Sequence, residues 1–444
     1  MKLLPHQVRI MEMTKDFENV GDFIDMGGGK TYIGSEQMDR YGCHINLVVC
    51  QKSKVRDWVE HFRTNYPRYS VWDLTQRGEL DAWHLLDGGD AKQPCVLVIN
   101  YDLVFRRSDL QKLHDFTLML DESSCIQNER AKRTKAILTM RPDHVILLSG
   151  TPTAGKYEKL WSQIHLLGWP ISRRTYYDQY VVQRLIEVSG MYIPVVVGYK
   201  NVDRLKRKLA QYGAVFMKSE EFGVDLPDMV EQSVYTSVPA AYHTFLRDQV
   251  IAIKGEQLVG DTALTMRLYL RQICGQYNPA RLQAVRDLLE STDDRVIIFY
   301  NFKAELRQLK ELAVKLKRPL SLVNGDEKDL ANYESKSDSV TLIQYQAGAM
   351  GLNLQKANRV IYFTLPDKSE LFEQSKARIH RIGQTRTCFY YYLLSRDTIE
   401  EDVLETLKKR KDYTDELFKA YEERRAPHHH NRRRHDDGTG NHLT

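Results

Sequence analysis

The 444-residue chain has no apolar run near the length of a membrane span, and its first residues lack the apolar core of a secretory leader. The expectation is a soluble globular protein that neither crosses a bilayer nor enters the export route. Its six cysteines (Cys43, Cys50, Cys95, Cys125, Cys274 and Cys388) are scattered and form no C-x-x-C pair. That pattern argues against a disulfide framework and a structural zinc site, and for a reducing compartment. Neither sign of charge dominates. With 64 Lys+Arg against 59 Asp+Glu the net charge is +5, which permits a nucleic-acid partner without demonstrating one. A 42% hydrophobic and 28% charged composition is that of an ordinary globular chain, long enough for two or three domains.

What the chain does have is an alternation of short apolar runs with helix-compatible segments. Strand-length runs occur at Asp22–Asp25, Ile45–Cys50, Cys95–Asn100, Thr117–Leu120 and His144–Leu148. They return at Arg295–Tyr300, Leu320–Val323, Val340–Gln344, Arg359–Phe363 and Cys388–Leu394. Such alternation predicts an α/β protein with two parallel-sheet lobes. The first is expected over 1–155 and the second over 281–425. Between them, over 156–280, the periodicity turns helical and irregular, with helices expected at Tyr157–Leu167, Val202–Leu209 and Ala240–Ile253. The last stretch, 426–444, holds five His and three consecutive Arg with almost nothing apolar, and is expected to be a disordered polar tail.

Asp25-Met-Gly-Gly-Gly-Lys-Thr31 is the first chemistry-bearing segment. Glycines ahead of Lys-Thr let backbone N–H groups close around a polyphosphate: Gly27, Gly28 and Gly29 would cradle it. Lys30 would reach its outer phosphates, and the Thr31 hydroxyl would ligate Mg²⁺. The usual loop has a further Gly five residues before Gly29, where this chain has Ile24. Taken alone, the segment could equally close a turn. Asp121-Glu122 follows the run Leu118–Leu120, where a parallel strand would leave it at the sheet's carboxyl edge. There Asp121 could hold Mg²⁺ and Glu122 could polarise a water. Ser149-Gly-Thr-Pro152 ends another run and could sense a terminal phosphate. Farther on, Arg378 and Arg381 sit three apart on an expected helix, as cations of a second lobe would to stabilise a transferring phosphoryl group.

These segments, in this order, resemble superfamily-two helicases, in particular the Swi/Snf-like branch of ATP-dependent DNA translocases. The likeness runs from Leu3 to about Leu417. Leu3-Leu-Pro-His-Gln7 resembles the opening motif, whose glutamine reads adenine. Leu47–Trp58, Val98–Asp102, Asp121–Asn128 and Leu148–Pro152 resemble successive first-lobe motifs. Val296–Asn301, Gln346–Leu354 and Gln374–Gln384 resemble those of the second lobe. Leu160-Trp-Ser-x-Ile-His-Leu166 and Leu268–Cys274 resemble the branch's insertion and linker.

The resemblance implies two RecA-like lobes with a helical insertion between them, ATP bound in the cleft, and duplex DNA as the partner. Gln7 and Gln374 join the ATP contacts, and Lys30, Asp121, Glu122, Arg378 and Arg381 carry hydrolysis. Lys52, Ser53, Gly348 and Asn353 contact DNA phosphates on the opposite rim. Several positions depart from the family. Ser123-Ser124 stand where many relatives have Ala-His, Gln51 replaces a Pro, Thr153-Ala-Gly155 replaces Ile-x-Asn, and Thr364-Leu-Pro-Asp367 replaces a Trp-Asn-Pro turn. None removes a phosphate, Mg²⁺ or finger residue. The compact plan resembles stand-alone bacterial and phage members, hence a cytoplasmic setting. A strand-separating helicase and a non-catalytic ATP-responsive scaffold are the alternatives.

Overall fold

A computed structural model describes residues 3–85, 93–153, 156–188, 191–223, 226–253, 255–348 and 352–409. The tail expected from 426 lies outside the described residues, as do 154–155 and the 349–351 portion of the Gln346–Leu354 segment.

The apolar runs of the first third form β1 (Asn19–Ile24), β2 (Ile45–Cys50), β3 (Ser70–Asp73), β4 (Cys95–Asn100), β5 (Phe116–Asp121) and β6 (His144–Ser149). A hairpin of β7 (Val181–Val188) and β8 (Met191–Tyr199) follows, and then β9 (Ala214–Met217). The first sheet has the order β3-β4-β2-β5-β6-β1-β9, with every pairing parallel. Its two faces bury separate clusters. On β2, Leu47 and Val49 enter one and Val48 and Cys50 the other. Strands covered on both faces are apolar throughout rather than alternating, which is why these runs stand out in the sequence.

The remaining strands are β10 (Met229–Thr236), β11 (Val250–Ile253), β12 (Glu256–Val259), β13 (Val296–Tyr300), β14 (Leu320–Val323), β15 (Lys328–Asp329), β16 (Val340–Gln344), β17 (Arg359–Tyr362) and β18 (Cys388–Ser395). The second sheet runs β10-β18-β17-β13-β16-β14-β15, parallel except for the β14–β15 edge. It too buries a cluster on each face.

The segment 156–280 is less helical than its periodicity suggests. It supplies β9 to the first sheet and β10 to the second, and it forms the β7–β8 and β11–β12 hairpins. The helix expected over Ala240–Ile253 stops at Asp248; Gln249 turns with φ 59°, and β11 begins. Val250, Ile251 and Ile253 are β-branched, and stiff χ1 torsions favour the extended chain. The segment at Tyr157–Leu167 is a 3₁₀ turn, Tyr157–Lys159, followed by the helix Trp161–Leu166.

One buried ion pair ties the second half together. Arg281, fully buried on the helix Pro279–Glu290, donates to Glu400 Oε1 at 2.6 Å, to Glu400 Oε2, and to the Phe363 carbonyl at 2.8 Å. Removing one partner strands the other charge in a dry interior. Arg281→Ala is therefore expected to cost about 3–5 kcal/mol in urea unfolding, and Arg281→Met with Glu400→Leu to recover most of the loss.

Candidate active site

Because the first sheet is parallel, β1, β2, β5 and β6 deliver their following loops to one edge. After β1 the chain bends through Gly27 and Gly29 at φ 90° and 72°, a backbone region glycine enters freely. Space for a side chain is short there too. A Cβ on Gly29 would lie 2.2 Å from Gln7 Nε2, on α1 (Pro5–Met13), and one on Gly28 would lie 2.7 Å from Ile24 Cγ2. Ile24 is itself a fully buried β1 residue, so the position where a longer phosphate loop has Gly belongs here to the strand. α2 (Lys30–Tyr41) starts immediately, and Gly29, Lys30 and Thr31 line a cavity of about 270 Å³. Free N–H groups of that first turn give the cavity wall a positive potential.

Lys30 Nζ donates to the Ile24 carbonyl at 2.8 Å and the Asp25 carbonyl at 3.3 Å. Burial lowers its pKa, and the carboxylates of Glu122, Asp25 and Asp121 oppose that shift. Asp121 is the last residue of β5, and Trp58, on α3 (Val55–Asn65), donates its indole N–H to Asp121 Oδ2 at 2.8 Å. Tyr101 fixes the turn by donating its hydroxyl to the Asp121 carbonyl at 3.0 Å. Glu122 sits at φ 54°, a left-handed conformation costing a non-glycine residue about 1–3 kcal/mol and typical of functional turns. Burial pushes the Asp121 carboxyl up and lifts Glu122 to about 7, where Lys30 pulls down and Asp121 and Glu370 push up.

The second sheet contributes through the helix Ser369–Lys376 and the turns after it. Arg378 and Arg381 are not on a helix, as their spacing suggested, because the helix ends at Lys376. Backbone bonds from Arg378 N to the Ser375 carbonyl and from Ile379 N to the Lys376 carbonyl then tighten the chain. Both arginines nonetheless line the cavity with Gln374 and Ala377. Arg378 is buried and its pKa falls to about 10, through desolvation and then the neighbouring Arg381 charge. A Cβ on Gly27 would touch Arg381 Cβ at 3.4 Å, so the two halves meet across the glycine loop. Buried Glu122 Oε2, Gln374 Oε1 and Arg378 Nε have no hydrogen-bond partner among the described residues. Unsatisfied buried polar atoms around a cavity are what a polar ligand would complete.

Gly27, Gly29, Lys30, Thr31, Asp121, Glu122, Gln374, Arg378 and Arg381 thus share one cavity. Gln7 and Gly28 lie behind its wall. The Gln7 amide donates to the Gly28 and Gly29 carbonyls at 3.4 and 3.5 Å and accepts from Leu4 N at 2.8 Å. Asn353, expected at a DNA rim, lines this same cavity. Leu354 N donates to the Arg378 carbonyl at 3.1 Å, and that bond pulls the strand of chain inward. Lys52 and Ser53 are exposed in the turn Lys52–Lys54, and Gly348 ends a short helix beside undescribed residues. The sequence reading missed Trp58 as the Asp121 donor, together with Gln51 and Lys54 as lining residues. A Trp or Lys inside a quoted segment carries no spacing signal for a carboxylate sixty residues on.

Residues 10–278, more than half the chain, match the model of the SNF2-related domain. The chain belongs to the SNF2-related family. Residues 280–383 match the helicase conserved C-terminal domain. Among SNF2-like relatives, the CHD3-type chromatin-remodeling factor CHR7 of Arabidopsis thaliana is 23% identical over 87% of this chain and 34% of its own length. A SWI/SNF-related matrix-associated actin-dependent regulator of chromatin subfamily A-like protein 1, from Drosophila melanogaster, is 23% identical over 87% of this chain and 52% of its own. The chain thus spans about a third to a half of these relatives. A solved structure, the Sulfolobus solfataricus SWI2/SNF2 ATPase core in complex with dsDNA, is 20% identical over 94% of this chain and 93% of that one. Its TM-score is 0.43.

Proposed function

We propose that the chain is an ATP-dependent translocase on duplex DNA, hydrolysing ATP in the cavity between its two sheets. The observation that carries this is the convergence of Lys30 and Glu122 from one sheet with Arg378 and Arg381 from the other on a single cavity. In this reading Gly27–Thr31 hold the phosphates and Glu122 Oε2 orients the attacking water and takes its proton. Arg378 and Arg381 neutralise the oxygens of the transferring group, an effect that exists only when the halves are together. Adenine would lie toward α1, with Gln7 exchanging its long bonds to the glycine carbonyls for the base.

Mg²⁺ fits the donor set. Thr31 and Asp121 are hard oxygen donors on one wall, and Trp58 orients the carboxylate. Among the described residues no three His, Cys, Asp or Glu cluster as a self-sufficient metal site. Mg²⁺ at nucleotide sites is commonly held by one or two protein oxygens together with phosphates and water. When bound, Mg²⁺ would offset phosphate charge. Sheet membership supports lobes that meet within 218–228, between β9 and β10.

Lys52 and Ser53, exposed after β2, and Gly348 remain the proposed phosphate contacts for DNA, with Asn353 reassigned to the nucleotide cavity. Backbone contacts predict weak sequence preference and steep salt dependence. Free thiols at all six cysteines support a reducing, cytoplasmic setting. One observation favours strand separation as a second reading. The β7–β8 ribbon exposes Leu185, Met191 and Tyr192, side chains of the kind that wedge between base steps. Displacement of a protein roadblock from duplex DNA, without release of a labelled strand, supports the translocase. Strand release with ATP supports the alternative.

A further inference from the structure

Outside the cavity, one hydrogen bond joins the two sheet-bearing halves through residues that no motif role covers. Ser124, buried in the 3₁₀ turn Ser123–Ile126 directly after Glu122, donates its hydroxyl to Glu370 Oε1 at 3.1 Å. Gln374 Nε2 donates to the same oxygen at 3.4 Å. Glu370 lies in the first turn of the helix Ser369–Lys376, where the helix dipole favours a carboxylate, and that helix leads straight into the Arg378 turn.

The near side of this contact is braced. Ser123 Oγ donates to Gln163 Oε1 at 2.8 Å, and Gln163 Nε2 donates to the Pro152 carbonyl at 2.6 Å. Gln127 Nε2 reaches the same carbonyl at 3.1 Å. The loops after β5 and β6 are thereby one unit, and Glu370 connects that unit to the far half. Neither Ser124 nor Glu370 is among the cavity-lining residues, so neither is placed to touch nucleotide.

We propose that Ser124 and Glu370 form a latch between the halves, and that Glu370 is a positioning residue for ATP turnover. The latch rests on the ATPase reading and assigns a role to the two serines that stand where relatives carry Ala-His. Its bond forms only when the halves meet, and it holds Glu122 and the Arg378–Arg381 turn in one arrangement. A carboxylate accepting from a hydroxyl on one half and an amide on the other makes a charge-assisted contact, stronger than a neutral pair.

The test compares Ser124→Ala, Glu370→Ala, the double variant and Glu370→Gln with the full chain. Each alanine variant should lower kcat about ten-fold while KM for ATP stays within about two-fold. The double variant should be no slower than either single, since both remove the same bond. Glu370→Gln keeps an acceptor oxygen and should restore most of the turnover. A second readout does not need hydrolysis: with one dye on each half, a non-hydrolysable ATP analogue should raise energy transfer less in both alanine variants than in the full chain. Additive losses, unchanged kcat in both alanine variants, or equal energy transfer in all would overturn the latch. A chain that hydrolyses no ATP overturns the ATPase reading instead, and the energy-transfer comparison then decides the latch by itself.

Discussion

Lys30→Ala is expected to abolish measurable ATP hydrolysis, a loss of at least about 10³-fold, while the chain stays folded. The ammonium stands at the start of α2 among Asp25, Asp121 and Glu122, all of which raise its pKa against the cost of burial. Two losses coincide when it goes. A phosphate oxygen loses its fixed cation, and the carboxylates lose the charge that holds them ionised. Lys30 lowers the pKa of Glu122, which already lies at about 7. Without that charge Glu122 shifts higher, and a smaller fraction is ionised to take a proton at neutral pH. Phosphate release followed over several hours, beside a thermal melt, checks both halves of the expectation. Turnover within ten-fold of the unmodified chain would contradict the assignment of this loop.

Arg381→Ala should behave differently: ATP binding spared, turnover slower by about 10³-fold or more. Arg381 belongs to the far half, meets the near half at Gly27, and is less deeply buried than Arg378. Its guanidinium pKa is lowered by burial alone, so the charge is held in a poorly solvated place where it acts strongly on a neighbouring anion. Arg378 is a poorer probe. Its carbonyl anchors Leu354, so a change there risks moving the segment that carries Asn353. Equilibrium binding of a fluorescent nucleotide with single-turnover hydrolysis separates the two steps. Normal turnover in the Arg381 variant would remove the finger role.

Much of this site was legible because its chemistry is local. Gly27–Thr31 and Asp121-Glu122 are contiguous, and a parallel sheet brings strand ends together without further information. The buried strands were legible for the same reason, since runs such as Cys95–Asn100 and Leu320–Val323 are covered on both faces. What escaped depends on distant partners. β9 and β10 are strands because each finds an edge, next to β1 and β18, and nothing in Ala214–Met217 announces that neighbour. The helix at Ala240 stops where β-branched residues begin, a local preference that helical periodicity masked. Arg378 and Arg381 keep their spacing on a turn rather than a helix. Asn353, expected at a DNA rim, lines the cavity instead, and only the bond from Leu354 to Arg378 reveals which way that segment bends.

The most direct test of the central claim is ATP turnover by the full chain at fixed low salt, first without nucleic acid and then with duplex DNA, single-stranded DNA or RNA. A duplex-DNA translocase predicts slow basal turnover and strong stimulation by duplex, lost steeply as salt rises. Turnover that no nucleic acid stimulates, or that only single strands or RNA stimulate, would contradict it.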